Sequence, residues 1–278
     1  NNGSLSELRP GLAAKAFRHT AYYDSVISRY LTKAFSEDLF AEKLTVGYKR
    51  KQSFKYGENP HQAGALYTDP LGVKGVAQAE QLHGAELGYN NVTDSQGAWE
   101  LVCDLPTPAC AIIKHANPCG VAVAEDLGEA YQLARESDPV SAFGGIVAFN
   151  VPVDKSAAEA MTAKNNFLEV ILAPDFSEEA LEILRNRSGW GANVRLLKVP
   201  LVPASKELTV KWVRGGAVIQ ESDEDPGKEW NYVTELKPTP DQEAALRLQW
   251  AIVQHVKSNA ITVGTSSRLL GVGAGQMN

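Results

Sequence analysis

The chain has 278 residues, of which 44% are hydrophobic and 22% are charged, so it can bury a substantial core. Its formal net charge of −6, without any basic block, argues against a nucleic-acid partner, although a local lysine and histidine cluster can still bind an anion. No apolar run is long enough to cross a membrane, no signal peptide opens the chain, and the three cysteines lack the spacing of a disulfide framework. These features predict a cytoplasmic protein with reduced thiols.

The two ends of the sequence suggest a fragment. The chain begins without methionine and stops at "GVGAGQMN", directly after an apolar strand and a glycine turn. We therefore expect it to be part of a longer protein.

The spacing of apolar residues predicts a long amphipathic helix over residues 11–32, followed by alternating helices and strands. The helices are predicted at 97–105, with Thr93 or Asp94 as the N-cap, and at 126–137, 154–165 and 177–187. The strands are predicted at 109–114, 144–150, 167–173 and 193–199. Hydrophobic strands separated by helices indicate a mostly parallel sheet in three α/β/α layers, with 109–113 and 145–149 as adjacent parallel strands.

The pattern changes after about residue 205. Two short β runs, 207–213 and 215–220, precede an acidic loop. A strong helix at 241–258 then leads into strands at 259–264 and 269–275. This order predicts the start of a second α/β unit, and hence two related lobes.

The stretch "AIIKHANPCGVAVA" carries the most unusual chemistry, because an apolar strand ends in Lys114 and His115. A histidine at a strand end is often only a structural hydrogen-bonding group. An adjacent lysine favours function, since burying an ammonium without a partner is costly. Ligands also collect at the carboxyl ends of strands in open α/β sheets.

The prolyl-cysteine at 118–119 resembles half of a zinc deaminase site, but the spacing excludes that interpretation. Such sites need His-x-Glu and a later Pro-Cys-x-x-Cys. Here Asn117 stands where the glutamate is needed, and Ala122 stands where the second thiolate is needed. Two ligands do not make a zinc site, so we predict no zinc.

Three other segments are rich in polar and turn residues: "KYGENPHQ" at 55–62, "SDPVSAFGG" at 137–145 and "VKSNAITV" at 256–263. Each has a structural interpretation as a solvated turn, a tight glycine turn or a helix cap. The alternative for each is contact with a ligand, since loops carry many binding residues.

Taken in order, "KYGENPHQ", "IIKHANPCG", "SDPVSAFGG", "EVILAPDF", "VKSNAITV" and "GVGAGQMN" resemble the AICAR transformylase part of the bifunctional AICAR transformylase/IMP cyclohydrolase family. The resemblance runs from about residue 10 to the last residue. It implies cytidine deaminase-like α/β/α lobes without zinc, and a homodimer with active sites at the subunit interface. It also implies purine biosynthesis by formyl transfer from 10-formyltetrahydrofolate to the 5-amino group of AICAR, giving FAICAR.

The resemblance also implies domain boundaries. Residues 1–35 would be a helix and linker from a cyclohydrolase domain that this chain lacks. Residues 36–204 would form the first deaminase-like lobe, and 205–278 the truncated start of the second. In the family an arginine follows "GQMN" and a later segment supplies further contacts, so we expect an incomplete site. An inactive nucleotide-binding fragment is the alternative.

Site residues follow from the same resemblance. His115 would be the general base, Lys114 its cationic partner, and Asn259 would orient the formyl group. The remaining nucleotide contacts would be Lys55, Tyr56, Asn91, Phe143, Gly144 and Glu169. Some relatives carry arginine at the position of Lys55 and aspartate at that of Glu169. A potassium ion near Val253 and Ser258 would support the fold.

Overall fold

The computed structural model describes residues 4–36, 38–202, 208–223 and 229–277. The chain divides into two compact units, one ending at Val73 and the other beginning at Lys74. Within the described ranges, no helix is both long enough and apolar enough to span a membrane.

The first unit contains one long helix and one β-hairpin. Helix α1 covers Ser4–Phe35, and strands β1 (Lys49–Phe54) and β2 (Gly64–Thr68) pair antiparallel. The predicted helix at 11–32 is confirmed and is longer at both ends. A 2.7 Å ion pair between Arg29 of α1 and Asp69 ties the helix to the residue after the hairpin.

The second unit is built on a six-stranded sheet in the order β3-β8-β7-β6-β4-β5. These strands are β3 (Glu80–His83), β4 (Ala109–Lys114), β5 (Asn117–Val123), β6 (Gly145–Phe149), β7 (Leu168–Ala173) and β8 (Arg195–Lys198). The helices between them are α2 (Tyr89–Cys103), α3 (Leu127–Ser137), α4 (Lys155–Met161) and α5 (Glu178–Arg185), and a 3-10 turn covers Val76–Gln78.

The sheet is mixed, so the prediction of a mostly parallel sheet is wrong. Only β6–β7 and β7–β8 are parallel, whereas β3–β8, β4–β5 and β4–β6 are antiparallel. The runs 109–113 and 145–149 are adjacent as predicted, but they run in opposite directions. The reason is the strand β5, which returns directly after β4 and makes a hairpin in a segment where we predicted no strand.

Proline explains why β5 escaped prediction. The sequence "NPCG" has the composition of a turn, and proline cannot donate to a ladder hydrogen bond. Pro118 is tolerated because β5 is an edge strand and because its pairing with β4 is shifted at this point, between Ile112 and Ile113.

Helices cover both faces of the sheet. On one face, buried residues of α3, α4 and α5, such as Tyr131, Met161 and Leu184, pack against Ile112 and Phe149 of the strands. On the other face, α2 contributes Trp99, Leu101 and Val102 to a second core cluster. This helix–sheet–helix arrangement confirms the α/β class.

The helix starts follow ordinary capping chemistry. Asp126, Asp154 and Ser177 precede α3, α4 and α5, and each side chain accepts a bond from the backbone N–H three residues later. Helix α2 is different, because it begins at Tyr89 after Gly88. Our prediction that Thr93 or Asp94 caps this helix is therefore wrong, and both lie inside it.

The last part of the second unit carries two further hairpins and a helix. They are β9 (Leu208–Val213) with β10 (Gly216–Glu221), α6 (Pro240–Gln254), and β11 (Ile261–Gly264) with β12 (Leu269–Gly273). The β11–β12 hairpin meets the edge strand β5, where Val123 N–H donates to the carbonyl of Ser267 at 2.8 Å.

Candidate active site

The site begins at the tight turn between β4 and β5. Lys114 is the last residue of β4, Asn117 is the first of β5, and the two are paired across the hairpin. The two residues between them, His115 and Ala116, have φ angles of 52° and 61°. Positive φ at both central positions is the pattern of a type I′ hairpin turn, although residues with a Cβ rarely adopt it. The predicted position of Lys114 and His115 at the carboxyl end of a buried strand is confirmed.

The turn is held by a carboxylate from helix α2. Asp94 accepts a hydrogen bond of 2.9 Å from the backbone N–H of Ala116. The Asn117 amide donates to the carbonyl of His115 at 3.1 Å. The His115 side chain itself is exposed.

Lys114 is fixed by the turn that leads into β6 at Gly144 and Gly145, called here the double-glycine turn. Its ammonium donates to the carbonyl of Phe143 at 3.2 Å and to that of Gly144 at 2.8 Å. An ammonium has three N–H groups, so these two contacts orient it and leave a third for another acceptor. The predicted proximity of Lys114 and Gly144 is thereby confirmed.

Glycine is required at position 144. Its φ is +68°, and a Cβ there would lie 3.1 Å from the Lys114 nitrogen and 3.2 Å from the ring of Phe167. The Gly144 N–H donates to the carbonyl of Phe167 at 2.8 Å. The ring of Phe167 also packs against Phe143, with centroids 5.3 Å apart. Phe143 remains 57% exposed, which leaves ring surface open to a ligand.

Asn91 and Glu169 form a second polar pair. The Asn91 amide donates to a Glu169 carboxylate oxygen at 3.0 Å, and its own carbonyl accepts from Gly88 N–H at 3.0 Å. Both side chains are half-buried. The bond joins the first turn of α2 to the second residue of β7.

These groups lie along one edge of the sheet. Ile113 is paired with Ile146, and Gly145 with Leu168, so the end of β4 is level with the starts of β6 and β7. We expected a site at the carboxyl ends of parallel strands. That holds for β4 alone, because β4 is antiparallel to its neighbour and brings Lys114 to the amino ends of β6 and β7.

Asn259 lies after α6 and is exposed. Its carbonyl accepts from Gln276 N–H at 3.0 Å, and that of Lys257 accepts from Gly275 N–H at 2.8 Å, so the segments "VKSNAITV" and "GVGAGQMN" are joined. Across the described ranges no hydrogen bond links Asn259 to Lys114 or His115. The shared cleft of these three residues therefore stays a prediction.

Val253 and Ser258 supply the two oxygens that the suggested potassium site names. The Val253 carbonyl accepts from Val256 N–H at 3.0 Å and also from His255 N–H, and the Ser258 residue is exposed. Carbonyl and hydroxyl oxygens are ligands of the type that potassium takes, but two are too few to hold the ion. Potassium binding stays a prediction.

Lys55 and Tyr56 belong to the first unit. They follow β1 at the start of the turn that leads to β2, and both are exposed. The turn is closed by its own bonds, including Gly57 N–H to the Gln62 carbonyl at 2.6 Å. Their role in ligand binding stays a prediction.

Cys119 is part of the core. Its thiol donates to the carbonyl of Ile112 at 3.5 Å. Burial raises the pKa of this thiol to about 12, and the charge of Asp138 adds to the rise. Among the described residues no group of three or more histidine, cysteine or acidic side chains is arranged to hold a metal.

Sequence reasoning missed Asp94 and Phe167 as parts of the site. Asp94 was assigned to a helix cap because the start of α2 was placed too late. The signal for the earlier start was Asn91, since a polar side chain at the third helical position often reaches back to the capping residue.

The fold is an α/β fold in which a histidine, a lysine and a carboxylate lie at one edge of a mixed sheet. The chain belongs to the AICARFT/IMPCHase bienzyme family, whose sequence model matches residues 1–278. This confirms the family resemblance that the motifs predicted.

Similar proteins carry the name bifunctional purine biosynthesis protein PurH. That of Listeria welshimeri is 49% identical over 275 residues, covering 98% of this chain and 53% of the relative. Those of Halalkalibacterium halodurans and Shouchella clausii are 47% and 49% identical, over 98% of this chain and 53% and 52% of the relatives. The chain therefore spans about half the length of these relatives.

Proposed function

We propose that this chain acts in purine biosynthesis as an AICAR formyltransferase (phosphoribosylaminoimidazolecarboxamide formyltransferase). It transfers the formyl group of 10-formyltetrahydrofolate to the 5-amino group of AICAR and gives FAICAR. The observation that carries the proposal is the end of β4, where Lys114 contacts the double-glycine turn and the next residue, His115, is exposed. Membership of the AICARFT/IMPCHase family supports it.

The acceptor amine needs help, because it is conjugated to the imidazole-carboxamide system and is a poor nucleophile. In the proposed reaction the amine nitrogen bonds to the formyl carbon while His115 removes a proton from that nitrogen. The formyl oxygen takes up the negative charge, which the Lys114 ammonium stabilises. The carbonyl then re-forms, the bond from carbon to the folate nitrogen breaks, and that nitrogen receives a proton with the help of Lys114.

The geometry of Lys114 supports its role. Two carbonyl oxygens hold the ammonium in place, so a charge developing nearby meets an oriented donor rather than a mobile side chain. His115 is exposed on the neighbouring position of the turn, where a substrate amine can reach its ring.

Four of the proposed nucleotide contacts lie on the same edge. Phe143 offers an exposed ring face, Gly144 allows close backbone approach, and Asn91 with Glu169 offers amide and carboxylate groups. By family resemblance, Lys55 and Tyr56 of the first unit would also contact the nucleotide, and Asn259 would orient the formyl group. Potassium near Val253 and Ser258 is proposed as a structural ion.

The assembly is proposed by family resemblance. The protein would be a cytoplasmic homodimer whose sites lie at the subunit interface, with deaminase-like lobes that hold no zinc. Residues 36–204 would form the first of these lobes and 205–278 the start of the second. IMP cyclohydrolase activity would belong to the segment before residues 1–35 in the longer relatives.

The test is a formyl-transfer assay on this chain beside a full-length relative such as the Listeria welshimeri protein. Turnover that needs both AICAR and 10-formyltetrahydrofolate supports the proposal. Binding of AICAR without turnover supports the alternative, a nucleotide-binding fragment. A chain that neither binds AICAR nor transfers the formyl group contradicts both.

A further inference from the structure

We propose that Asp94 is a positioning residue for His115, and that it acts by holding the His115–Ala116 turn in its left-handed conformation. The part of this inference that concerns catalysis rests on the proposed function, in which His115 is the base. Asp94 would touch neither substrate.

The turn needs an external contact because its backbone is unfavourable. Both central residues carry a Cβ, and both have positive φ, at 52° and 61°. Hairpin turns of this kind favour asparagine, aspartate and glycine, and neither histidine nor alanine is among them. Asp94 compensates by accepting the Ala116 N–H at 2.9 Å, and bonds to an ionised acceptor are stronger than neutral ones.

The position of the His115 ring depends on this backbone. A catalytic histidine is commonly oriented by a partner on its second ring nitrogen. In the part of the chain that the structure describes, no hydrogen bond is made to either nitrogen of the His115 ring. The direction of the Cα–Cβ bond is therefore set by the turn, and the turn is held by Asp94.

Helix α2 is a firm base for such a contact. Ala98 and Trp99 on this helix are buried in the core. Asp94 lies three residues after Asn91, so the two side chains share one face of the helix. From this face Asn91 donates a hydrogen bond to Glu169, and Asp94 accepts one from the turn. One helix therefore sets the distance between the proposed base and the proposed nucleotide contacts.

The first experiment requires no catalytic activity. Amide hydrogen exchange of Ala116 is measured by NMR in this chain and in three variants: Asp94→Ala, Asp94→Asn and Glu100→Ala. We expect exchange to be at least about tenfold faster in Asp94→Ala, because a bond to a charged acceptor is lost. Asp94→Asn keeps an oxygen acceptor and should stay within about threefold of the unsubstituted chain.

Glu100→Ala is the matched control. It removes another carboxylate from α2, one that accepts from the Gln96 amide at 2.8 Å on the exposed surface. Exchange at Ala116 should be unchanged. The amide of Ala122, which lies inside the β4–β5 ladder opposite Cys110, should also be unchanged in all variants if the effect is confined to the turn.

The second experiment measures formyl transfer. Asp94→Ala should lower kcat by roughly ten- to a hundredfold, with KM for AICAR changed by less than about threefold, because the base is displaced and the nucleotide contacts remain. Asp94→Asn should recover most of the rate. Adding Ala116→Gly to Asp94→Ala should raise kcat by at least about threefold, because glycine adopts positive φ without a Cβ penalty.

The outcomes separate this inference from the proposed function. If the unsubstituted chain transfers no formyl group, the proposed function fails while the exchange experiment still tests the contact. If Asp94→Ala behaves like Glu100→Ala in both experiments, the inference is wrong. It is also wrong if Asp94→Ala loses thermal stability and neither Asp94→Asn nor Ala116→Gly restores turnover, since Asp94 would then serve only the fold.

Discussion

The side-chain amide of Asn91 donates a hydrogen bond of 3.0 Å to the carboxylate of Glu169, which lies 78 residues later in the chain. The same side chain closes the start of α2 through its bond from Gly88 N–H. One residue therefore links a helix start, a sheet edge and the proposed nucleotide contacts.

We expect Asn91→Ala to lower the free energy of unfolding by about 2 kcal/mol, because two half-buried hydrogen bonds are lost. Asn91→Asp keeps the acceptor for Gly88 but sets a second carboxylate against Glu169. It should therefore weaken AICAR binding more than Asn91→Ala does. Urea denaturation and calorimetric titration measure the two effects.

Gln96→Ala is the control for this pair. Gln96 lies on the same helix and donates to Glu100 on the exposed surface, so the change should stay within about 0.5 kcal/mol. If Asn91→Ala is no more harmful than Gln96→Ala, the pair contributes nothing to stability.

Gly144→Ala should destabilise the second unit by about 1–2 kcal/mol, because alanine at positive φ is strained and its Cβ would press on Lys114 and Phe167. Formyl transfer should fall as well, since the carbonyls that hold Lys114 would shift. Denaturation and turnover are measured on the same preparation.

Gly97→Ala provides a control of opposite sign. Gly97 lies inside α2 with open space where a Cβ would lie, so alanine should stabilise the helix by about 0.5–1 kcal/mol. Equal effects of the two substitutions would show that the double-glycine turn has no special requirement for glycine.

The α/β class and most helices and strands could be predicted from the sequence, because amphipathic spacing and capping residues are local signals. The strand direction could not be predicted. Alternation of helices and strands favours parallel pairing. The strand β5, which makes β4 antiparallel to β6, was not predicted because it contains Pro118.

The candidate site could be predicted only where residues were chemically unusual, as at Lys114 and His115. The contact of Asp94 with Ala116 joins residues 22 positions apart and depends on where α2 starts, which propensity places poorly. The packing of Phe167 beneath Phe143 depends on the sheet order, which no local pattern reveals.

Cys119 should be unreactive in the folded chain. Since burial raises the pKa of its thiol to about 12, its thiolate fraction at pH 8 is roughly a thousandfold below that of an ordinary cysteine. Alkylation by iodoacetamide at pH 8, followed by mass spectrometry, should modify Cys119 far more slowly than in the urea-unfolded chain. Rapid modification of the folded chain at Cys119 would contradict the buried position.

The raised pKa of the Cys119 thiol also determines how the stability of the folded chain changes with pH. The unfolded chain releases the Cys119 proton near the usual thiol pKa of 9, whereas the folded chain holds it until about 12. The contribution is therefore fully present below pH 9 and is lost as pH rises toward 12. Between pH 9 and 11, the free energy of unfolding should therefore fall less in Cys119→Ala than in the unsubstituted chain.

Zinc content is a companion measurement. With Cys119 protonated at neutral pH and Ala122 in place of a second thiolate, we expect no stoichiometric zinc after dialysis. Elemental analysis that finds about one zinc per chain would overturn this expectation.

The last prediction separates the proposed roles of His115 and Lys55. Its test requires a protein whose formyl-transfer rate can be measured. A base that acts in the transition state affects turnover more than ground-state binding. His115→Ala should therefore lower kcat by at least roughly 10²-fold, with the affinity for AICAR changed much less. Lys55→Ala should instead weaken AICAR binding.

If His115 only stabilises the turn, its substitution lowers the melting temperature while the folded fraction turns over normally. Melting temperature, AICAR affinity and turnover are measured on the same preparations, and normal turnover of His115→Ala would make the Lys114–His115 pair a structural feature.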